Sequence, residues 1–188
     1  MEALDEVIKS DCENAERFNM FMVSDGSRSE RVKIIDKCSG DDMALRVILS
    51  AIDFEWTFRR AVLALGYSPT AQIRAAFGKY DVHTPRGMKK IWRDQVIKCD
   101  KGRITLPAYF NSLDRFAEMD KSNWDLLQKA HNVRNRIVHG IDCSIGEKSG
   151  RLYSDVFLKA SDSLIELVSA NNGNVYGRIV RRVPRKRA

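Results

Sequence analysis

The residue types best suited to chemistry lie in one run, Asn132-Val133-Arg134-Asn135-Arg136-Ile137-Val138-His139-Gly140. One of the chain's three histidines closes it. Histidine titrates near neutral pH and can move a proton to or from a ribose hydroxyl or a leaving oxygen. Arginine stays charged and grips phosphate oxygens through a fork of donors, which also stabilises the added negative charge of a five-coordinate phosphorus. Asparagine can orient either group. RNA brings its own nucleophile, the 2′-hydroxyl, so this chemistry calls for no metal and no cofactor. Its products are a 2′,3′-cyclic phosphate or 3′-phosphate and a 5′-hydroxyl. Arg134, Asn135 and His139 are the catalytic candidates, with Arg136 beside them for the RNA backbone. A purely structural reading competes. Arg and His near a helix C-terminus complement its dipole by a few tenths to about 1 kcal/mol, and a glycine after a helix is a routine cap.

The element that must position these groups is a helix over residues 125–139. Ser122-Asn123-Trp124-Asp125 resembles a capping box with Asp in place of Glu, and Gly140 ends the helix. At about 100° per residue, Leu126, Ala130, Val133 and Ile137 share a narrow sector that reads as the core face. His131, Asn135 and His139 fall on roughly the opposite side, and Arg134 lies on one flank. The polar stripe should therefore meet solvent, a cleft wall or a second subunit. One histidine is a thin acid–base set. A two-fold axis would bring a second copy of Arg134 and His139 to it.

The rest of the chain reads as scaffold. An apolar pattern at three- and four-residue steps predicts a helix over 2–23, broken by Ser24-Asp25-Gly26-Ser27. A short helix or strand is expected around Val32 to Ile35. Asp41-Asp42 opens a helix to Leu65 that is apolar on most sides, as the central helix of a bundle would be, and Gly66 stops it. Asp53 and Glu55 interrupt it, and pairing with Arg59 or Arg60 at helical spacing is the expected explanation. Ser68-Pro69 and Thr84-Pro85 are helix starts, the first running to Phe77 and the second to Cys99. A helix over 108–119, a Gly- and Ser-rich loop over 142–150 and a final helix over 152–170 complete the pattern. Asn171-Asn172-Gly173 breaks that last helix. Val175, Tyr176, Ile179 and Val180 suggest that the start of the tail docks as a strand or on a partner. The expected fold is an all-α bundle of roughly five to seven helices: one domain over 1–177 and a basic tail over 178–188.

Composition bounds the partners. With 44% hydrophobic and 30% charged residues the chain is neither disordered nor membrane-embedded. No apolar run reaches the ~18 residues of a membrane span, and the acidic start lacks the pattern of a secretory signal, so a cytoplasmic protein is expected. Cys12, Cys38, Cys99 and Cys143 show no zinc spacing, and no metal is expected. Of the net charge of +7, the last eleven residues supply +6 through Arg178, Arg181, Arg182, Arg185, Lys186 and Arg187. A second basic region holds Arg86, Lys89, Lys90, Arg93, Lys98, Lys101 and Arg103 against Asp94 and Asp100. Such segments suit a polyanion, foremost nucleic acid. The backbone-binding candidates are Arg136, Lys89, Lys90, Arg93, Arg181, Arg182, Arg185, Lys186 and Arg187. A solvated face and a solubilising tail are the competing explanations.

Arg134-Asn135-Arg136-Ile137-Val138-His139-Gly140 resembles the signature of the HEPN superfamily, an arginine, usually followed by a polar residue, with a histidine shortly after. Here four residues separate Arg134 and His139, and Asn135 fills the polar position. The resemblance covers about residues 41–170, with only the motif specific. It implies an all-α fold, a homodimer with Arg134 and His139 at the dimer cleft, and metal-independent cleavage of RNA. It also implies a setting in toxin–antitoxin, phage-defence or CRISPR-linked systems, where an antitoxin or other regulatory protein is a partner. One toxin branch carries, two residues past the histidine, a tyrosine that the antitoxin modifies. Ile141 stands there in this chain, which speaks against that regulation. Some relatives are catalytically silent, so a non-catalytic all-α nucleic-acid-binding regulator or adaptor is the alternative, and a purely structural dimerisation domain a third.

Overall fold

A computed structural model describes residues 28–79, 84–98, 104–112, 122–141, 144–176 and 179. The expected helix over 2–23, most of that over 108–119 and the basic residues Arg181, Arg182, Arg185, Lys186 and Arg187 lie outside the described residues. The described chain is all-α. Its helices are α1 (Arg28–Lys37), α2 (Met43–Leu65), α3 (Thr70–Lys79), α4 (Pro85–Trp92), α5 (Asn123–Val138) and α6 (Glu147–Ala170). A 3-10 turn at Gly40–Asp42 leads into α2, a π-turn at Arg93–Ile97 follows α4, and a 3-10 turn spans Ala108–Asn111. No described helix is long and apolar enough to cross a membrane.

The central position expected for α2 follows from its sequence. Val47, Ala51, Phe54, Phe58, Ala61, Val62 and Leu65 have no exposed surface. A helix with apolar residues on most of its circumference must be surrounded. Its principal neighbour is α6. Gly150 sits against Met43, Arg46 is 3.9 Å from Asp155, Phe54 faces Phe157 at 5.7 Å, and Arg60 donates to the Val175 carbonyl. Residue numbers rise together along both helices, so α2 and α6 are parallel. Residues 139–146 join the end of α5 to the start of α6, so α5 runs the other way. The end of α5, the start of α6 and the start of α2 therefore share one end of the bundle.

That end corrects one boundary. The expected loop over 142–150 gives way to helix at Glu147, and Gly150 lies inside α6. It is there for closeness: a Cβ at this position would stand 2.9 Å from Met43 Sδ and 3.0 Å from Met43 Cβ. Gly150→Val is expected to lose about 1–3 kcal/mol through overpacking, read as a lower urea midpoint at unchanged slope.

Two of the expected helix starts form side-chain caps, whereas Asp42 at the start of α2 makes no side-chain cap hydrogen bond. Thr84 Oγ1 accepts from the Gly87 amide at 3.2 Å, with Pro85 opening α4. Ser122 Oγ accepts from the Asp125 amide at 3.3 Å, and Asp125 Oδ2 accepts from the Ser122 amide at 3.2 Å.

Asp53 departs from the expected pairing within the helix. It is 1% exposed and receives Arg31 Nε at 2.9 Å and Arg28 Nε at 3.3 Å, both from α1. Arg31 then lies over the Trp56 ring at 4.7 Å, and Arg60 lies over the same ring at 4.6 Å. Tyr176 packs on Trp56 at 6.2 Å, and burial pushes its hydroxyl pKa up to about 12. Val175 beside it is buried. The start of the tail thus docks on this chain's own α2.

Candidate functional site

The geometry of α5 corrects the helical projection. Leu126 and Ala130 are buried as expected, but Val133 and Ile137 are only half-buried. The buried sector also holds Trp124, Leu127 and His131. It is centred nearer Leu127 than Leu126, because the two large apolar residues Trp124 and Leu127 pull it round. His131 therefore lies in the core and not on an outward polar stripe. It is 1% exposed, edge-on to Phe157 at 5.1 Å and to Phe54 at 6.2 Å.

The same rotation turns Arg134 inward. Its guanidinium makes a 3.5 Å ion pair with Glu55 of α2 and donates to Asn135 Oδ1 at 2.9 Å. Glu55 is itself 8% exposed, which explains a carboxylate on an otherwise apolar helix: it faces the one arginine that α5 directs at it. A buried carboxylate left without a counter-charge is costly, so each member holds the other. Sequence reasoning missed this partnership. The available signal was the second of two acids on the largely apolar α2, Glu55, and an arginine between apolar positions on α5.

His139 is placed differently. It is the C-terminal cap of α5 and is exposed. Gly140 follows with φ +68°, a left-handed conformation that favours glycine. The Gly140 amide donates to Ile137 O at 3.0 Å and the Ile141 amide to Arg136 O at 2.8 Å, which together form a Schellman turn. In such turns the residue after the glycine often packs on an apolar residue of the last helical turn. Here that place is held by Arg136, and Ile141 stays 66% exposed with Val138 at 53%. Leu45 is the third large exposed apolar side chain among the described residues, and it stands at the same end of the bundle.

Arg134 and Asn135 are thus brought together, whereas His139 is not brought to Arg134. Five residues at about 100° each leave them about 140° apart around α5, one facing α2 and one facing solvent.

The backbone-binding candidates divide as well. Arg136 is exposed on α5, near His139. Lys89 and Lys90 are exposed on α4 and Arg93 at its C-terminal cap, and α4 packs against the start of α5. Lys89 Nζ lies 4.5 Å over the Trp124 ring, and desolvation there lowers its pKa against the opposing pull of Asp125. Arg93 is 3.2 Å and Lys98 2.9 Å from Asp94, whose carboxyl pKa is lowered chiefly by the Lys98 hydrogen bond. The tail leaves from Tyr176, near Arg60 and the far end of α6. After α6 the chain turns back, so Tyr176 lies on Trp56, midway along α2 and not at the motif end.

An all-α bundle with an anchored arginine and an exposed histidine on one helix is the class that fold and site define. Comparison with protein-family models, curated proteins and solved structures found no match for the chain.

Proposed function

We propose that the chain is a dimeric, metal-independent endoribonuclease of the HEPN kind, acting in the cytoplasm. The observation that carries this reading is the half-site at the end of α5. Arg134 is held by Glu55 and Asn135, while His139 stands exposed between the apolar Val138 and Ile141. Exposed large apolar side chains grouped around a titratable one suit a contact between copies. In the proposed reaction the ribose 2′-oxygen attacks phosphorus and the bond from phosphorus to the 5′-oxygen breaks. One His139 takes the 2′-hydroxyl proton and its two-fold mate gives a proton to the leaving 5′-oxygen. Because Arg134 and His139 point about 140° apart on α5, Arg134 must turn from Glu55 toward the substrate to carry the charge of the phosphorane, with Asn135 orienting its guanidinium. The motif's resemblance extends the proposal to a toxin or phage-defence setting with a silencing protein partner.

The test is incubation of the purified protein with total RNA beside His139→Ala, with end-group analysis of the fragments. Cyclic phosphate or 3′-phosphate ends, formed equally with a chelator present and lost in the variant, are the expected result. Parent-like fragments from the variant would sink the mechanism. Ile141→Asp is expected to shift the protein from dimer to monomer in sedimentation and to remove most cleavage, while melting as the parent does. A parent that sediments as a monomer at all concentrations would contradict the shared site.

The non-catalytic alternative draws support from the cationic face of α4, which needs no catalytic partner to bind phosphate. It predicts salt-sensitive binding without cleavage, largely removed by deleting 178–188.

A further inference from the structure

Two surfaces that the sequence presents separately meet at Lys89. The first is the outer face of α4. Pro85, Met88, Ile91 and Trp92 are buried, and Arg86, Lys89, Lys90 and Arg93 are all exposed on the other side. The second is the solvent stripe of α5, formed by the exposed residues Asp125, Gln128, Asn132, Arg136 and His139. These recur at three- and four-residue steps and make one straight row. Lys89 touches Trp124 and faces Asp125, which puts it at the head of that row. The row's single acid is engaged in its own helix cap: Asp125 Oδ2 accepts from the Ser122 amide and from Ser122 Oγ at 2.6 Å. Beyond it come amides, with Gln128 Nε2 donating to Asn132 Oδ1 at 3.2 Å, then Arg136 and His139.

We infer that the α4 face and the α5 stripe form one continuous track for a single nucleic-acid strand, entering over Arg86 and Lys89 and ending at His139. The inference rests on the ribonuclease reading only for what happens at its far end. The chemistry favours nucleic acid because cations and amides without intervening apolar groups suit phosphate and sugar contacts made independently of sequence. The fourteen helical steps from Asp125 to His139 rise about 21 Å, and at the ~3.4 Å per phosphate of a stacked strand that is about six nucleotides. The substrate class is therefore a stacked single strand of several nucleotides and not a dinucleotide.

The test uses fluorescein-labelled all-2′-deoxy oligonucleotides of increasing length, which bind but lack the nucleophile. Anisotropy is read across a salt series on the full chain. Affinity is expected to climb steeply up to about six nucleotides and slowly beyond. Arg86→Glu and Asn132→Asp, both at exposed positions, are each expected to weaken binding about tenfold, and Arg86→Glu to reduce the logarithmic salt slope by about 0.7. Lys159→Glu, the same two-unit charge reversal as Arg86→Glu but on the outer face of α6, should change neither. The track is overturned if trinucleotides bind as tightly as longer strands, if Lys159→Glu weakens binding as much as the other two, or if polyglutamate competes as well as DNA. Length-dependent binding alongside ribo-oligonucleotides that are never cut would keep the track and remove the ribonuclease reading. Absence of any binding would remove both.

Discussion

His139→Ala is expected to slow RNA cleavage by about 10²–10⁴-fold, the usual contribution of a positioned general acid or base. Where one residue type serves as both base and acid across a two-fold axis, the upper part of that range is expected. The same change should leave stability within about 0.5 kcal/mol, because the ring is exposed and the cap rests on backbone hydrogen bonds from His139, Gly140 and Ile141. That separation makes it the cleanest probe of the site. Arg134→Ala is expected to cost about 10²–10³-fold in rate, as for other groups that stabilise transition-state charge. It would also leave Glu55 buried beside an empty place, so its melting temperature should fall. Arg134→Lys keeps the charge but not the fork that reaches Glu55 and Asn135 at once, and should recover stability better than rate. Single-turnover rates and thermal melts on the three variants provide the measurement. A folded His139→Ala protein that cleaves at the parent rate would end the proposal.

Asp53→Ala is expected to destabilise the fold by about 3–5 kcal/mol, the cost of removing one member of a buried ionic group. Arg31, 3% exposed, would lose its carboxylate without reaching bulk water, whereas Arg28 is only half-buried. Against a typical total of about 5–15 kcal/mol, that is a large share. Arg28 keeps Asp162 and the Leu158 carbonyl, and Arg31 keeps the Trp56 face. The loss should therefore loosen α1 from α2 before it unfolds the bundle. Hydrogen exchange should show α1 amides losing protection first, and urea titration should show the lower midpoint. A loss under about 1 kcal/mol would mean that α1 contributes little to the fold.

What was legible in the chain was whatever short-range physics controls. The Thr84-Pro85 start, the Ser122–Asp125 capping box and the Gly140 end depend on atoms a few residues apart, and each stands where its residues indicate. The all-α class and the central place of α2 follow from a long helix that is apolar on most sides, which must be enclosed whatever encloses it. Gly150 was less legible, since a glycine that lets a helix pass close to Met43 has the same composition signal as one that breaks a helix.

The rest depended on tertiary contacts. A projection built on Leu126, Ala130, Val133 and Ile137 put His131 outside, yet its ring packs edge-on against Phe54 and Phe157 while Trp124 packs against Phe110. Asp53 and Glu55 had arginines at helical spacing, but their observed partners Arg31 and Arg134 come from other helices. The sequence by itself determined the helices, their caps and the presence of arginine, asparagine and histidine on one of them. Only the tertiary structure decided that Arg134 faces α2 while His139 faces solvent. The reason is rotational: a helix's local signals set where it starts and stops, whereas its rotation about its axis is set by what it packs against.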